Sequence, residues 1–221
     1  MISKKTPSYT VIKDTREQDG WFFTPYDRCE GMEVNTLHTG DYTLKGFEDV
    51  VCVERKASVS EIATNLGKKK KAFYNEMERM RDFNFRYLLL EFSALDVVDY
   101  PLSLLSEEEK ELYYSYKKQD VDKFCKLYEQ VYDVPYYNEE EEEPPESVGL
   151  PNFKRFKIVE QTKISGKYLI KSLMELSIRY DINVMFCGNK NGAFLICNSL
   201  FKRLNELFHK RDKDDYEKEA T

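Results

Sequence analysis

The sequence predicts an α/β fold, a mixed central sheet flanked by helices and interrupted by a helical, acidic insertion. Three observations predict it. Four short β-prone runs crowd the chain before Ser58, apolar spacing then lengthens to the helical interval from Ser58 to Met80, and a helix, a strand and a helix follow in turn after residue 164.

Taken in order, Tyr9 to Asp14 is β-prone and Met32 to Leu37 alternates weakly, so both read as strands bounded by turn residues. Tyr42 to Leu44 and Val50 to Glu54 flank Lys45-Gly46-Phe47-Glu48-Asp49, the pattern of a β-hairpin with a glycine-bearing loop. Ile62, Leu66, Phe73, Met77 and Met80 form an apolar stripe, and Gly67 marks a break between two helices. Arg86 to Phe92, RYLLLEF, has the character of a short buried strand. Ser106-Glu-Glu-Glu109 has capping-box spacing, and Val121, Phe124, Leu127, Tyr128 and Val131 repeat at helical intervals. Leu169, Leu173, Leu176 and Tyr180 mark another helix, Ile182 to Cys187 a strand, and Phe194, Cys197, Phe201, Leu204 and Phe208 a last amphipathic helix. The expected organisation is one domain over residues 1–209 with an insertion at 99–163, then a charged tail at 210–221.

Composition narrows the function classes. The chain has 221 residues, 41% hydrophobic and 33% charged, which is globular composition with ample material for a core. No apolar run approaches the roughly 18 residues of a spanning helix, and MISKKTPSYT carries no apolar stretch behind its lysines to act as a signal peptide. Five scattered cysteines without a C-x-x-C pair suggest reduced, buried thiols, so an intracellular setting, cytoplasm or nucleus, is expected. Only His38 and His209 are available as imidazoles, which leaves any enzyme chemistry to carboxylates and lysine.

The net charge of −6 conceals a division. Asp99 to Glu146 holds 15 acidic and 5 basic residues, a local −10, so the rest of the chain carries +4. A basic face for a polyanion is therefore compatible with the acidic total. The run at 138–147, centred on five consecutive glutamates and two prolines, reads as a disordered loop, a solvated tether or a surface for a protein partner. Lys68, Lys69, Lys70 and Lys71, with Arg79 and Arg81, form the densest basic patch, suited to DNA phosphates. A cap on the preceding helix is the simpler alternative. Most of the 30 Tyr and Phe residues fall at core spacing, and Trp21, in a loop, is the one aromatic that either packing or base stacking would explain.

The hairpin carries the chemistry. Strand alternation points Glu54 and Lys56 to one face and Arg55 to the other, and folding about the loop brings Asp41 opposite Glu54. Asp14 and Glu17, spaced D-x-x-E where the first strand runs into a loop, bring two more carboxylates to the same pole. Oxygen ligands of this kind suit Mg²⁺ or Mn²⁺. A lysine beside them can orient a water or offset charge on phosphorus. Spacing alone leaves open a plainer reading, a turn aspartate after Gly40 and an ordinary charged strand end.

The ordered blocks Asp14-Thr15-Arg16-Glu17, Gly40-Asp41-Tyr42 and Glu54-Arg55-Lys56 resemble the nuclease domain of the XPF family of structure-specific endonucleases, a branch of the PD-(D/E)XK nucleases. The flavour is similar to compact phage and bacterial members. The resemblance covers about residues 9–98 and 164–208 and implies a restriction-endonuclease-like sheet. It implies a DNA endonuclease acting on branched or distorted DNA in repair, recombination or replication. Asp41, Glu54 and Asp14 would hold Mg²⁺ or Mn²⁺ with a backbone carbonyl at Arg55. Lys56 would position the water, Glu17 would be a further acid, and Arg16 and the Arg55 side chain would serve phosphate contacts or structure. The pattern departs in one place, since Ser60 stands where the family has an aspartate, and Glu61 is the candidate substitute. The residues after His209 carry no counterpart of the tandem helix-hairpin-helix domain of larger members, and a homodimer is a further family expectation. Competing readings are a silent DNA-binding scaffold, a junction resolvase, a sequence-specific cutter, an exonuclease, and a protein-interaction module built on the acidic insertion.

Overall fold

The computed structural model describes residues 7–118, 120–132 and 153–219. The acidic run at 138–147 lies outside the described residues. In chain order the elements are β1 (Tyr9–Asp14), β2 (Cys29–Asn35), β3 (Tyr42–Leu44), β4 (Val51–Lys56), α1 (Val59–Leu66), α2 (Lys70–Met80), β5 (Phe85–Leu90), α3 (Ala94–Val98), a 3-10 turn (Leu102–Leu104), α4 (Glu107–Lys117), α5 (Val121–Tyr132), α6 (Phe153–Gln161), α7 (Gly166–Tyr180), β6 (Asn183–Phe186) and α8 (Lys190–Glu219). The last helix runs through most of the expected charged tail. None of the described helices is long and apolar enough to cross a membrane.

The strands form one mixed sheet in the order β2-β1-β3-β4-β5-β6. β1 to β4 contain the antiparallel pairs β1/β3 and β3/β4, while β1/β2, β4/β5 and β5/β6 are parallel. Two compact units emerge, residues 1–95 with 169–221, and residues 96–168. The second unit has its own core of Leu105, Leu112, Tyr113, Phe124, Tyr128, Phe156 and Val159. Its α4 begins with the reciprocal capping box of Ser106 and Glu109.

Within the first unit, alternation sorts side chains to two faces. Tyr9, Val11, Tyr42, Leu44, Val51, Val53 and Leu89 pack with Ala193, Cys197, Phe201, Leu204 and Phe208 of α8 in one core. The intervening positions face the other way. Val51–Lys56 is buried throughout, as a strand with neighbours on both edges and both faces must be. The apolar stripe of α1 and α2 is buried as its spacing requires, Ile62, Leu66, Phe73, Met77 and Met80 all being inaccessible or nearly so.

Two elements differ from the sequence expectation. β2 runs from Cys29 to Asn35 and not from Met32 to Leu37. An extra residue in β2 between the pairs Tyr9/Cys29 and Val11/Met32 shifts the register, and Gly31 accommodates it with φ +116°. The chain leaves the sheet after Asn35 because the Leu37 amide is taken by the Asp14 carboxylate at 2.7 Å. α6 has no strong sequence pattern. Its Phe156 and Val159 are buried, but they are too few to show periodicity alone.

Gly40 fixes the approach of β3 to β4. Its φ is +81°, and a Cβ there would lie 2.5 Å from the Cys52 sulfur and 3.2 Å from the Val53 carbonyl oxygen. Only glycine meets both demands. Gly40→Ala is expected to destabilise the protein by about 1–3 kcal/mol from backbone strain, with the steric overlap adding to it, as measured by urea unfolding.

Candidate active site at the charged end of β4

Strand parity builds the site. On the face away from α8, β1 presents Asp14, the residue before β3 presents Asp41, and β4 presents Glu54 and Lys56. Backbone bonds lock these ends together: the Asp41 amide donates to the Val53 carbonyl at 2.8 Å, and the Asp14 amide donates to the Asp41 carbonyl at 2.8 Å. The Asp41 carboxylate is anchored too, its Oδ2 accepting the Arg55 amide at 2.7 Å. Asp41 and Glu54 are thus held opposite each other by the same ladder that makes the hairpin.

Their environment is costly for charge. Glu54 is 3% exposed; Oε1 accepts from the Lys56 ammonium, whereas Oε2 is buried with no hydrogen-bond partner. Burial, then repulsion from Asp41, pushes the Glu54 carboxyl well above the usual carboxylate range, against the pull of Lys56. The Asp41 carboxyl is pushed up to about 7 by burial, opposed by Lys56 and the Arg55 amide and reinforced by Glu17 and Glu76. Burial works to discharge Lys56, but Glu54 and Asp41 overcome it and raise the ammonium above its ordinary value. Its nitrogen lies 3.5 Å from Glu61 and 5.6 Å from the Phe73 ring centre.

The remaining expected residues take distinct places. Both Asp14 oxygens are engaged inside the protein. Oδ1 accepts from the Arg16 amide (2.8 Å) and Nε (2.7 Å), and Oδ2 from Arg16 Nη2 (3.1 Å) and the Leu37 amide. Burial opposes ionisation there, yet these donors hold its carboxyl below the ordinary value. Arg16 also donates to the Leu37 carbonyl at 2.9 Å, so this pair staples the loop after β1 to the end of β2. Glu17 reaches the other face, accepting from Arg55 Nη1 at 3.1 Å. Glu61 accepts the Ala57 amide at 2.9 Å while Ser58 caps its own amide, which fixes the start of α1 beside Lys56. Lys68, Lys69, Lys70 and Lys71 are exposed around the start of α2. Lys69 lines a pocket of about 600 Å³ with Lys56, Glu61, Glu76 and Arg79. Arg79 donates to Thr39 Oγ1 at 3.1 Å.

Two acids escaped the sequence reading. Glu91, just past β5, grips Arg55 with both oxygens at 2.7 and 2.8 Å and accepts Trp21 Nε1 at 2.6 Å. A lone carboxylate in the apolar run RYLLLEF was its signal. This network settles Trp21, which is buried and stacked on Tyr42 at 4.9 Å, a packing residue and not a base-stacking one. Glu76 gave no signal, since in sequence it does not differ from any other polar residue on a helix flank.

Two outcomes are expected. In metal-free protein, the folded state binds more protons than the unfolded chain between about pH 4 and 7, because Asp41 and Glu54 are raised. That contribution is complete below the unfolded pKa and lost as pH rises through the folded one, so melting temperature falls over this range. Asp41→Asn should flatten that slope in thermal melts. Glu91→Ala leaves the buried Arg55 guanidinium without its fork and should cost about 3–5 kcal/mol in denaturant unfolding.

Comparison with known proteins gives the family of the chain. The ERCC4 domain family matches residues 14–199, from the first acid of the site into α8. No curated protein matches the chain. Among solved structures it is similar to XPF from Aeropyrum pernix, at 16% identity and a TM-score of 0.46, over 94% of this chain and 69% of that one. With Asp14, Gly40-Asp41 and Glu54-Arg55-Lys56 inside the matched span and gathered at one end of one sheet, the chain belongs to the ERCC4-domain family and is an XPF-family nuclease domain.

Proposed function

We propose that the protein is a DNA endonuclease dependent on Mg²⁺ or Mn²⁺, acting on branched or distorted duplexes. The observation that carries the reading is Glu54 Oε2, a carboxylate oxygen buried without a partner opposite a second acid, Asp41. Two carboxylates held opposite each other, one of them buried, repel strongly, and one lysine beside them neutralises only one charge. Hard oxygen donors fit a small divalent cation. Among the described residues no three of His, Cys, Asp and Glu converge as a ready ligand set, so Asp41 and Glu54 would be supplemented by the Arg55 carbonyl, water and phosphate oxygen. Asp14 is occupied by Arg16 and Leu37 and serves better as the anchor of the site wall than as a ligand. When bound, the cation supplies Lewis-acid polarisation of the phosphate and acidifies water.

The chain's own residues do the rest. Lys56, held as an ammonium by Glu54 and Asp41, donates to the attacking water or the phosphate and offsets charge that develops on phosphorus. An amine whose proton is so firmly held is a donor, not a base. Glu61 and the Phe73 ring keep that ammonium from rotating away. Lys68, Lys69, Lys70 and Lys71, exposed beside the pocket, would track the DNA backbone without reading sequence. In this reading residues 99–163 are an insertion in a nuclease domain spanning 1–209.

Cleavage of labelled linear, flap, fork and four-way DNA with Mn²⁺ tests the proposal. Asp41→Ala should abolish cutting, and Lys56→Ala should slow it by about 10²–10⁴-fold, both with DNA affinity retained in a gel-shift measurement. If the unaltered protein binds every form and cuts none, the domain is a DNA-binding scaffold and the catalytic reading fails.

A further inference from the structure

Glu76 on α2 takes no part in the bonds that hold Asp41, Glu54 and Lys56. It stands one turn beyond Phe73, whose ring underlies the Lys56 ammonium, and it lines the pocket that Lys56, Glu61, Lys69 and Arg79 share. Its carboxylate is half-buried and makes no hydrogen bond or ion pair among the described residues. Arg79, three residues on, is the natural helical partner, but its Nε is drawn to Thr39 and its Nη1 to the Asn75 carbonyl. A half-buried carboxylate whose cationic helical neighbour is turned elsewhere has no partner that folding supplies.

The charge of Glu76 is felt across the site. It adds to the forces that raise Asp41, Glu54 and Cys52, although burial is the largest of these in each case. Lys56 bonds Glu54 and neutralises one charge of the Asp41 and Glu54 pair, and Glu76 adds a further carboxylate on the wall of the pocket that Lys56 lines. An independent sign of the missing positive charge is Glu54 Oε2, which belongs to a side chain 97% buried and has no partner.

We propose that Glu76 is the outer acid of the cation site, a positioning residue that binds the hydration shell of the ion held by Asp41 and Glu54 from the α2 side. A direct bond from Glu76 is disfavoured, because no three acids of the described chain converge closely enough. A water bridge needs no such convergence. Mg²⁺ and Mn²⁺ sites that draw few ligands from protein keep several waters, and the groups that accept from those waters set affinity and orientation. Glu76 thereby joins a helix of the pocket wall to chemistry otherwise confined to the sheet. This inference rests on the metal-dependent reading above.

The test is Mn²⁺ binding to the full chain, followed by calorimetry and by the electron paramagnetic resonance of the free ion, without DNA. Thermal melts of the metal-free proteins run beside it. The unaltered protein is expected to bind, Asp41→Asn to lose binding, and Glu76→Gln to bind about 10-fold more weakly. Glu76→Asp, which keeps the charge, should retain more affinity than the isosteric Gln. Because Glu76 repels its neighbours when no ion is present, metal-free Glu76→Gln should melt at the same temperature or about 2–4 °C higher. Equal Mn²⁺ affinity in Glu76→Gln overturns the inference and leaves the metal reading intact. A lowered metal-free melting temperature in that variant makes Glu76 a structural residue and overturns it too. Failure of the unaltered protein to bind Mn²⁺ removes the cation reading and this inference together.

Discussion

Three consecutive charged residues, Glu54, Arg55 and Lys56, end the central strand of the sheet with 3%, 6% and 7% of their surfaces exposed. Moving isolated charges out of water would cost far more than the few kcal/mol by which a domain of this size is stable. Each is therefore compensated. Arg55 is compensated in full, by the two oxygens of Glu91, by Glu17 and by the face of Trp21 at 5.8 Å. Lys56 has Glu54, Glu61 and the Phe73 ring. Glu54 is compensated on one oxygen only.

That inequality divides the strand end into a closed side and an uncompensated side. The Arg55 face is closed, a bidentate pair packed over aromatic rings next to the α8 core. The opposite face keeps its electrostatic cost, visible as two carboxyls pushed above the usual carboxylate range beside an ammonium that they raise above its ordinary value. Uncompensated charge of this kind is expected where a ligand or reaction supplies the missing partner. Rigidity keeps the cost from relaxing. Gly40 lets β3 approach Cys52 and Val53 closely, and Asp41 is pinned through its amide, carbonyl and carboxylate to β4 and β1.

The wall around this centre is built from local bonds. Asp14, Arg16 and Leu37 tie the ends of β1 and β2, while Ser58 and Glu61 start α1 directly after Lys56. In consequence α1 and α2 fold back over the face bearing Glu54, and α2 delivers Phe73, Glu76 and Arg79 to the pocket. The motif and the helix that follows it are one unit.

Most of the sheet and of this centre was legible in the sequence. Period-two alternation assigned Glu54 and Lys56 to one face and Arg55 to the other, and hairpin folding set Asp41 opposite Glu54, because both follow from backbone geometry alone. The apolar stripes of α1, α2, α7 and α8 were equally plain, since a 3.6-residue period survives without knowledge of what it packs against. Tertiary structure alone decided the rest. Whether Asp14 turns to the pocket or to Leu37, whether Trp21 is a platform or a buried donor to Glu91, and whether Glu76 reaches the pocket that Lys56 lines all depend on contacts between residues far apart in the chain. Local spacing determines which face a side chain leaves from; only the packed fold determines what it meets there.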